Sequence, residues 1–216
     1  IVERDLPPAA RADQDRLAYA LGLVDTSGEW FDRYLRLVEA EIAGFYDDGS
    51  ETFYILGDTP EALQPAIMAH ELFHALQDQQ WGIENVVGRA EWMTDPTLAV
   101  HALIEGDALA VMTAFMLGGP DQVTGESLTR TAMMASLDGA TSPNTATVPP
   151  VMWAQLVFPN SAGLEFVFAV VEPGDWAPVD GLYLDPPVST EQVMHPERYL
   201  ERDDPTWLTF DIGSPG

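Results

Sequence analysis

The sequence predicts an α+β fold that is mostly α, with a small antiparallel hairpin. Three observations predict it. Apolar residues recur at helical spacing along most of the 216-residue chain. The period changes once, to strand-like alternation, between Phe45 and Leu56. Proline, glycine and short polar residues stand where helices must start and stop. A chain of this length forms one domain with a substantial core, or one domain in two lobes, about 1–137 and about 151–216, around a cleft.

The elements follow in order. Pro7 and Pro8 precede a helical stretch at about 9–23. A second, at about 28–42, carries an apolar stripe of Trp30, Phe31, Tyr34, Leu35 and Val38. Phe45-Tyr46, a turn at 47–50 and a run at 52–56 read as a β-hairpin. Asp58 and Thr59 before Pro60 signal a helix start, with Glu61 favoured by the dipole. That helix is expected to run to about Gln80, with Pro65 near its beginning. Asp95 and Pro96 open the next, which continues to Leu117 and stops at Gly118-Gly119-Pro120. A further helix is expected at about 121–137, then a linker or loop at 138–150. Short helical pieces follow at about 151–158, 162–171 and 176–184. Ser189 to Gln192 fits a capping box opening a short helix that Pro196 interrupts.

Composition narrows the functions. The net charge is −26, from 35 acids against 9 bases, every one of the latter arginine. Such a surface repels nucleic acid and anionic membrane, so neither is expected as a partner. A solubility role accounts for the acidic excess without a specific partner. There is no cysteine, which excludes disulfides, thiolate ligands and a cysteine nucleophile. The first residue is Ile1, so a processed or trimmed amino terminus is expected. The longest apolar run, 108–119, is too short for a membrane span and reads as a buried helix.

Residues 70–74 read His-Glu-Leu-Phe-His. On a helix, positions four apart differ by about 40° of rotation and one turn of rise. Both imidazoles then point at one place, where a zinc ion about 2 Å from each nitrogen fits. Glu71 follows the first histidine, so its carboxylate reaches the open side of the ion, where it can take a proton from water. The plain alternative is a chance match with both histidines serving the core. The flanks Ile67, Met68, Ala69, Leu72, Phe73, Ala75 and Leu76 are apolar, and polar groups on so apolar a helix need a partner.

A catalytic zinc takes a third protein ligand and keeps one position open. Gln77 and Gln80 stand where the metzincin pattern would place glycine and histidine, so that pattern fails. Glu105, in the apolar stretch around Leu103 and Ala108, is the best third ligand, since an ionised acid there is costly unless paired. Gly106 and Ala108 remove bulk that would keep this helix from the motif helix. A helix-end acid reaching solvent is the alternative reading of Glu105. His101, one turn earlier on about the same face, is a rival ligand, a substrate contact or a packed histidine. Asp78, one turn beyond His74, could orient an imidazole, whereas Asp107 should point well away from Glu105.

Four blocks now stand in order: Gly44-Phe45-Tyr46-Asp47, His70 to Gln79, Ala102 to Ala108, and Pro187 to Pro196. Together they resemble a group of bacterial zinc metalloproteases similar to minimal gluzincins. The resemblance covers about residues 20–205 and implies a zincin-like domain, a single protease-like zinc site and export to the cell envelope or exterior. It names no substrate beyond a peptide or protein. The Gly-x-Met-x-Asn motif of gluzincin aminopeptidases is absent, which argues against that branch. It also makes the hairpin meaningful: in gluzincins an edge strand beside the motif helix binds substrate backbone by strand addition. Phe45 to Asp47 or Thr52 to Leu56 could serve, or the hairpin could simply cover the helix.

Hydrolysis of a peptide also needs a donor for the tetrahedral oxyanion. His195, restricted by the following Pro196, is the first candidate, against a surface histidine capping local carbonyls. Tyr183 is the second and Tyr46 the third. The leading expectation is a metallopeptidase with Glu71 as general base. A zinc amidase or esterase would use the same residues. A non-catalytic metal-binding module is the third reading, disfavoured because a structural zinc has no need of Glu71.

Overall fold

The computed structural model describes residues 8–26, 28–41, 43–47, 49–56, 59–88, 94–127, 131, 148–170 and 176–206. Within them the fold is mostly helical with one two-stranded antiparallel sheet, as the periodicity predicts. Helices α1 (Pro8–Ala20) and α2 (Trp30–Glu41) precede strands β1 (Gly44–Asp47) and β2 (Thr52–Ile55). The motif helix α3 (Gln64–Trp81) is followed by α4 (Ile83–Val87) and α5 (Asp95–Leu117). After a short 3-10 turn at Pro120–Gln122 come α6 (Pro150–Val170), α7 (Val179–Leu184), α8 (Thr190–Met194) and α9 (Pro196–Glu201).

Helix α5 is the centre of the molecule. Leu103, Ala102, Ala99 and Ala108 are fully buried, and Val100, Ile104 and Leu109 nearly so. A helix that is apolar on every side belongs inside. By length and composition α5 could also cross a membrane, which the shorter run read from the sequence understated. Most of it is buried against other helices, as in the core of a globular fold. It ends as expected: Gly118, at φ +87°, takes the left-handed conformation, and the N–H groups of Gly118 and Gly119 donate to Phe115 and Ala114. The main core joins Leu103 and Ile104 to Phe166 and Val167 of α6, Leu182 of α7, Val193 of α8 and Tyr199 of α9. Residues from both sides of the 138–150 stretch thus share one core.

Gly106 and Gly163 make the α5–α6 contact. A Cβ on Gly163 would sit 1.9 Å from the Ala102 carbonyl oxygen, and one on Gly106 2.2 Å from the Gly163 carbonyl carbon. The two backbones therefore touch. Gly106 opens the way for α6, not for the motif helix as the sequence reading had it. Helix α6 also differs from expectation in being continuous through Pro159. A mid-helix proline costs about 3 kcal/mol and removes one backbone donor. Burial of Met152, Leu164, Phe166 and Val167 on both sides of it holds the helix together.

The start of the motif helix moved. Helix α3 starts at Gln64 with Pro65 in its first turn, rather than at Pro60. Thr59 instead joins the preceding turn: its hydroxyl donates to Ala43 O and its carbonyl accepts from Gln64. Asp58 lies outside the described residues. The helix expected at 121–137 is described only at its start, where Thr124 and Ser127 cap each other reciprocally. Its remainder and most of the expected 138–150 linker lie outside the described residues. Half of the predicted capping box forms: Ser189 Oγ accepts from Gln192 N–H, but Gln192 Oε1 accepts from Val188 N–H one residue earlier.

The hairpin pairs Gly44 with Ile55 and Asp47 with Thr52, and packs on α3. Gly44 permits the close approach, since a Cβ there would lie 3.0 Å from Ile67 Cγ2 and 2.9 Å from Tyr54 O.

Gly163→Ala should destabilise the protein by at least about 2 kcal/mol, because neither backbone can yield without parting the helices. Gly181→Ala, in α7 with nothing within 4 Å of its Cβ, should be neutral or slightly stabilising. Urea midpoints of the two variants check this, and equal shifts would refute the packing argument.

Candidate metal centre

The motif helix turns His70 and His74 toward α5, which brings Glu105 to meet them. The two Nε2 atoms are 3.0 Å apart. Glu105 Oε2 lies 3.2 Å from His70 Nε2 and 3.5 Å from His74 Nε2. Donors bound at about 2.0–2.1 Å to one tetrahedral ion stand about 3.3 Å from each other. The observed triangle matches that spacing, so the three residues fit a small divalent cation. The imidazole side chains are 13% and 10% exposed and Glu105 is 33% exposed, so solvent reaches the triangle from the Glu105 side. The rival ligand His101 is not one of the converging groups. Its side chain reaches solvent, and the protein around it lowers its pKa against the charge of Glu105.

The electrostatics are those of a site built for positive charge. Burial opposes a charge on His74, but Glu105, Glu71 and the bond to Gln77 push its pKa up to about 9. Burial would raise Glu105, yet the facing imidazoles hold it well below the ordinary carboxylate range. Glu71 is buried beside them. Burial raises its pKa, opposed by His70, His74 and a hydrogen bond from the Tyr46 backbone N–H. The register explains that bond. Leu56 N–H donates to Ala43 O, so the peptide groups of Phe45 and Asp47 face β2 while those of Gly44 and Tyr46 face outward. The outward edge of β1 therefore runs past Glu71.

The histidine supports are not those expected. Asp78 accepts from Ile83 N–H at the end of α3 instead of orienting an imidazole. That place belongs to Gln77, which is fully buried and accepts from His74 Nδ1 at 2.7 Å. Its amide nitrogen donates to Ile104 O at 3.0 Å and to the Tyr183 hydroxyl. Tyr183 in turn donates to Asp107 Oδ2 at 2.8 Å, and its ring stacks on Trp81 at 3.9 Å between centroids. Asp107 does point away from Glu105, as helix geometry requires, but into this buried cluster. Burial raises its pKa to about 6, against the bonds from Tyr183 and Gln77. Gln77 is missed from sequence because glutamine is an ordinary surface residue of helices. Its position one turn after His74, on the buried face, is the available signal.

Of the two leading oxyanion candidates, Tyr183 is placed differently from expectation. Tyr183 is buried on the Nδ1 side of His74, away from the triangle, with its proton committed to Asp107. Burial and Asp107 raise its pKa. It serves the support of His74 and is not placed to donate into the cleft. His195 is exposed at the junction of α8 and α9, its Nδ1 3.6 Å from Glu197. Its backbone links the helices, Arg198 N–H donating to its carbonyl, while its side chain makes no capping hydrogen bond to α9. The third candidate, Tyr46, meets the site through its backbone N–H, which bonds Glu71.

The raised pKa of His74 has a definite sign. A folded pKa of about 9 against an ordinary 6.5 adds stability that is complete below 6.5 and is lost as pH rises through 9. The metal-free protein should therefore lose stability across that window, by thermal unfolding at successive pH values. Zinc affinity should rise about tenfold per pH unit over its lower part, as one proton is displaced. A flat affinity profile would refute the pairing. No protein-family model matches the chain, and neither a curated protein nor a solved structure matches it.

Proposed function

We propose that this chain is a zinc metallopeptidase that cleaves a peptide bond with water, Glu71 acting as general base. The observation that carries the reading is the convergence of His70, His74 and Glu105 with Glu71 buried at their side and tied to the edge of β1. A metal held only for structure would gain nothing from a buried carboxylate next to it, and such sites are closed by four protein ligands. The nitrogen–nitrogen–oxygen donor set suits zinc.

The zinc ion, when bound, acidifies the attacking water and polarises the scissile carbonyl. His70, His74 and Glu105 would hold it, and Glu105 is the most solvent-exposed of the three. Glu71 accepts the water's proton as the oxygen attacks the carbonyl carbon. It then delivers that proton to the amine nitrogen as the carbon–nitrogen bond breaks. The Tyr46 N–H engages the Glu71 carboxylate and holds it in place. Because the outward peptide groups of β1 pass this point, an extended peptide can add to that edge and carry its scissile bond to the metal. This favours a peptide over a compact amide substrate. A secreted or envelope location suits the resemblance described above.

Glu71→Gln should lower cleavage of a mixed peptide library by at least about 100-fold while zinc is retained. His74→Ala should lose zinc and cleavage together. Mass spectrometry of the library with metal analysis of each variant reads both. Full activity of the Glu71 variant on a substrate cleaved by the wild type would overturn the role.

A further inference from the structure

We propose that Gln77 is the positioning residue of this centre: it fixes His74 in the tautomer that can bind metal and locks the two ligand-bearing helices together. The inference rests on the reading of His70, His74 and Glu105 as metal ligands.

Hydrogen-bond polarity makes the argument. The Ile104 carbonyl can only accept, so the Gln77 atom 3.0 Å from it is the amide nitrogen. The amide oxygen therefore faces His74 Nδ1, and that nitrogen must carry the proton. A neutral imidazole protonated on Nδ1 has its lone pair on Nε2, the atom that faces His70 and Glu105. One rigid amide thus translates a backbone carbonyl on α5 into the metal-binding tautomer on α3.

Position adds a second constraint. Ile104 immediately precedes Glu105, so the amide that holds one ligand's ring also holds the backbone of another. The Tyr183 hydroxyl receives the other amide proton and is itself held by Asp107 and by stacking on Trp81. The helices after residue 150 therefore reach the metal through Gln77. A neutral amide in place of a carboxylate also leaves the imidazole less basic, and so leaves more positive charge on the ion.

The test compares Gln77→Met, which fills the space without an acceptor, with Tyr183→Phe, which removes only the hydroxyl. Zinc affinity is measured by chelator competition on the folded variants, and the cobalt(II) absorption spectrum reports ligand geometry. Gln77→Met should weaken zinc binding about 10- to 100-fold and alter the cobalt spectrum. Tyr183→Phe should weaken zinc binding by less than Gln77→Met does, because the bonds of Gln77 to His74 and Ile104 remain and only one outer contact is lost. A merely structural Gln77 would lower stability and leave affinity and spectrum unmoved, which would overturn the proposal. Should Gln77→Met not fold, proton–nitrogen NMR of the zinc-loaded wild type decides. The proposal requires His74 with its proton on Nδ1 and zinc on Nε2, and zinc on Nδ1 overturns it. A wild-type protein that binds no zinc overturns the metal reading and this inference with it. Zinc bound with unchanged affinity by folded Gln77→Met overturns this inference alone.

Discussion

An ionised glutamate on an apolar core helix is the constraint around which the rest of this protein is arranged. Glu105 stands between Ile104 and Gly106 on a helix whose other sides are packed. Its charge is tolerable there because two imidazoles from a neighbouring helix face it at 3.2 and 3.5 Å. The same three groups match the spacing of ligands around one small cation. The interaction that makes the half-buried acid stable is therefore also the one that makes it useful.

Holding that arrangement requires backbones to lie unusually close. The Gly106–Gly163 contact lets α6 press on the backbone of α5 beside Glu105, so the acid-bearing helix is held from its flank. Gly44 does the equivalent for the hairpin, bringing β1 onto the motif helix where the outward N–H of Tyr46 meets Glu71. Small residues at these crossings leave no side chain to act as a spacer, and the geometry of the site inherits the rigidity of the backbone.

The polar groups behind His74 form a second, fully internal system. Gln77, Asp107 and Tyr183 satisfy one another and the Ile104 carbonyl within a few ångströms of the core. Buried polar groups are tolerable only when such a set is complete. Completeness here draws on helices from both halves of the chain, which makes the site a property of the whole fold rather than of the motif helix.

The sequence by itself determined the helix-rich class, the hairpin, the span of α5 and the four residues at the centre of the candidate site. These follow from local rules: periodicity, capping chemistry, and the cost of an unpaired charge in an apolar helix. Only the tertiary structure decided what touches what. The stretches 151–158 and 162–171 read as separate pieces, yet packing on α5 carries one helix through Pro159. Gly106 reads as clearance for the motif helix, yet it serves α6. Tyr183 reads as a candidate for the cleft, yet it is buried behind His74 with its proton on Asp107. Gln77 reads only as a departure from the metzincin pattern, because its role depends on Ile104 O, a backbone atom distant in the chain. Sequence spacing places side chains on a face of their own helix; which partner waits opposite is set by how helices far apart in the chain cross.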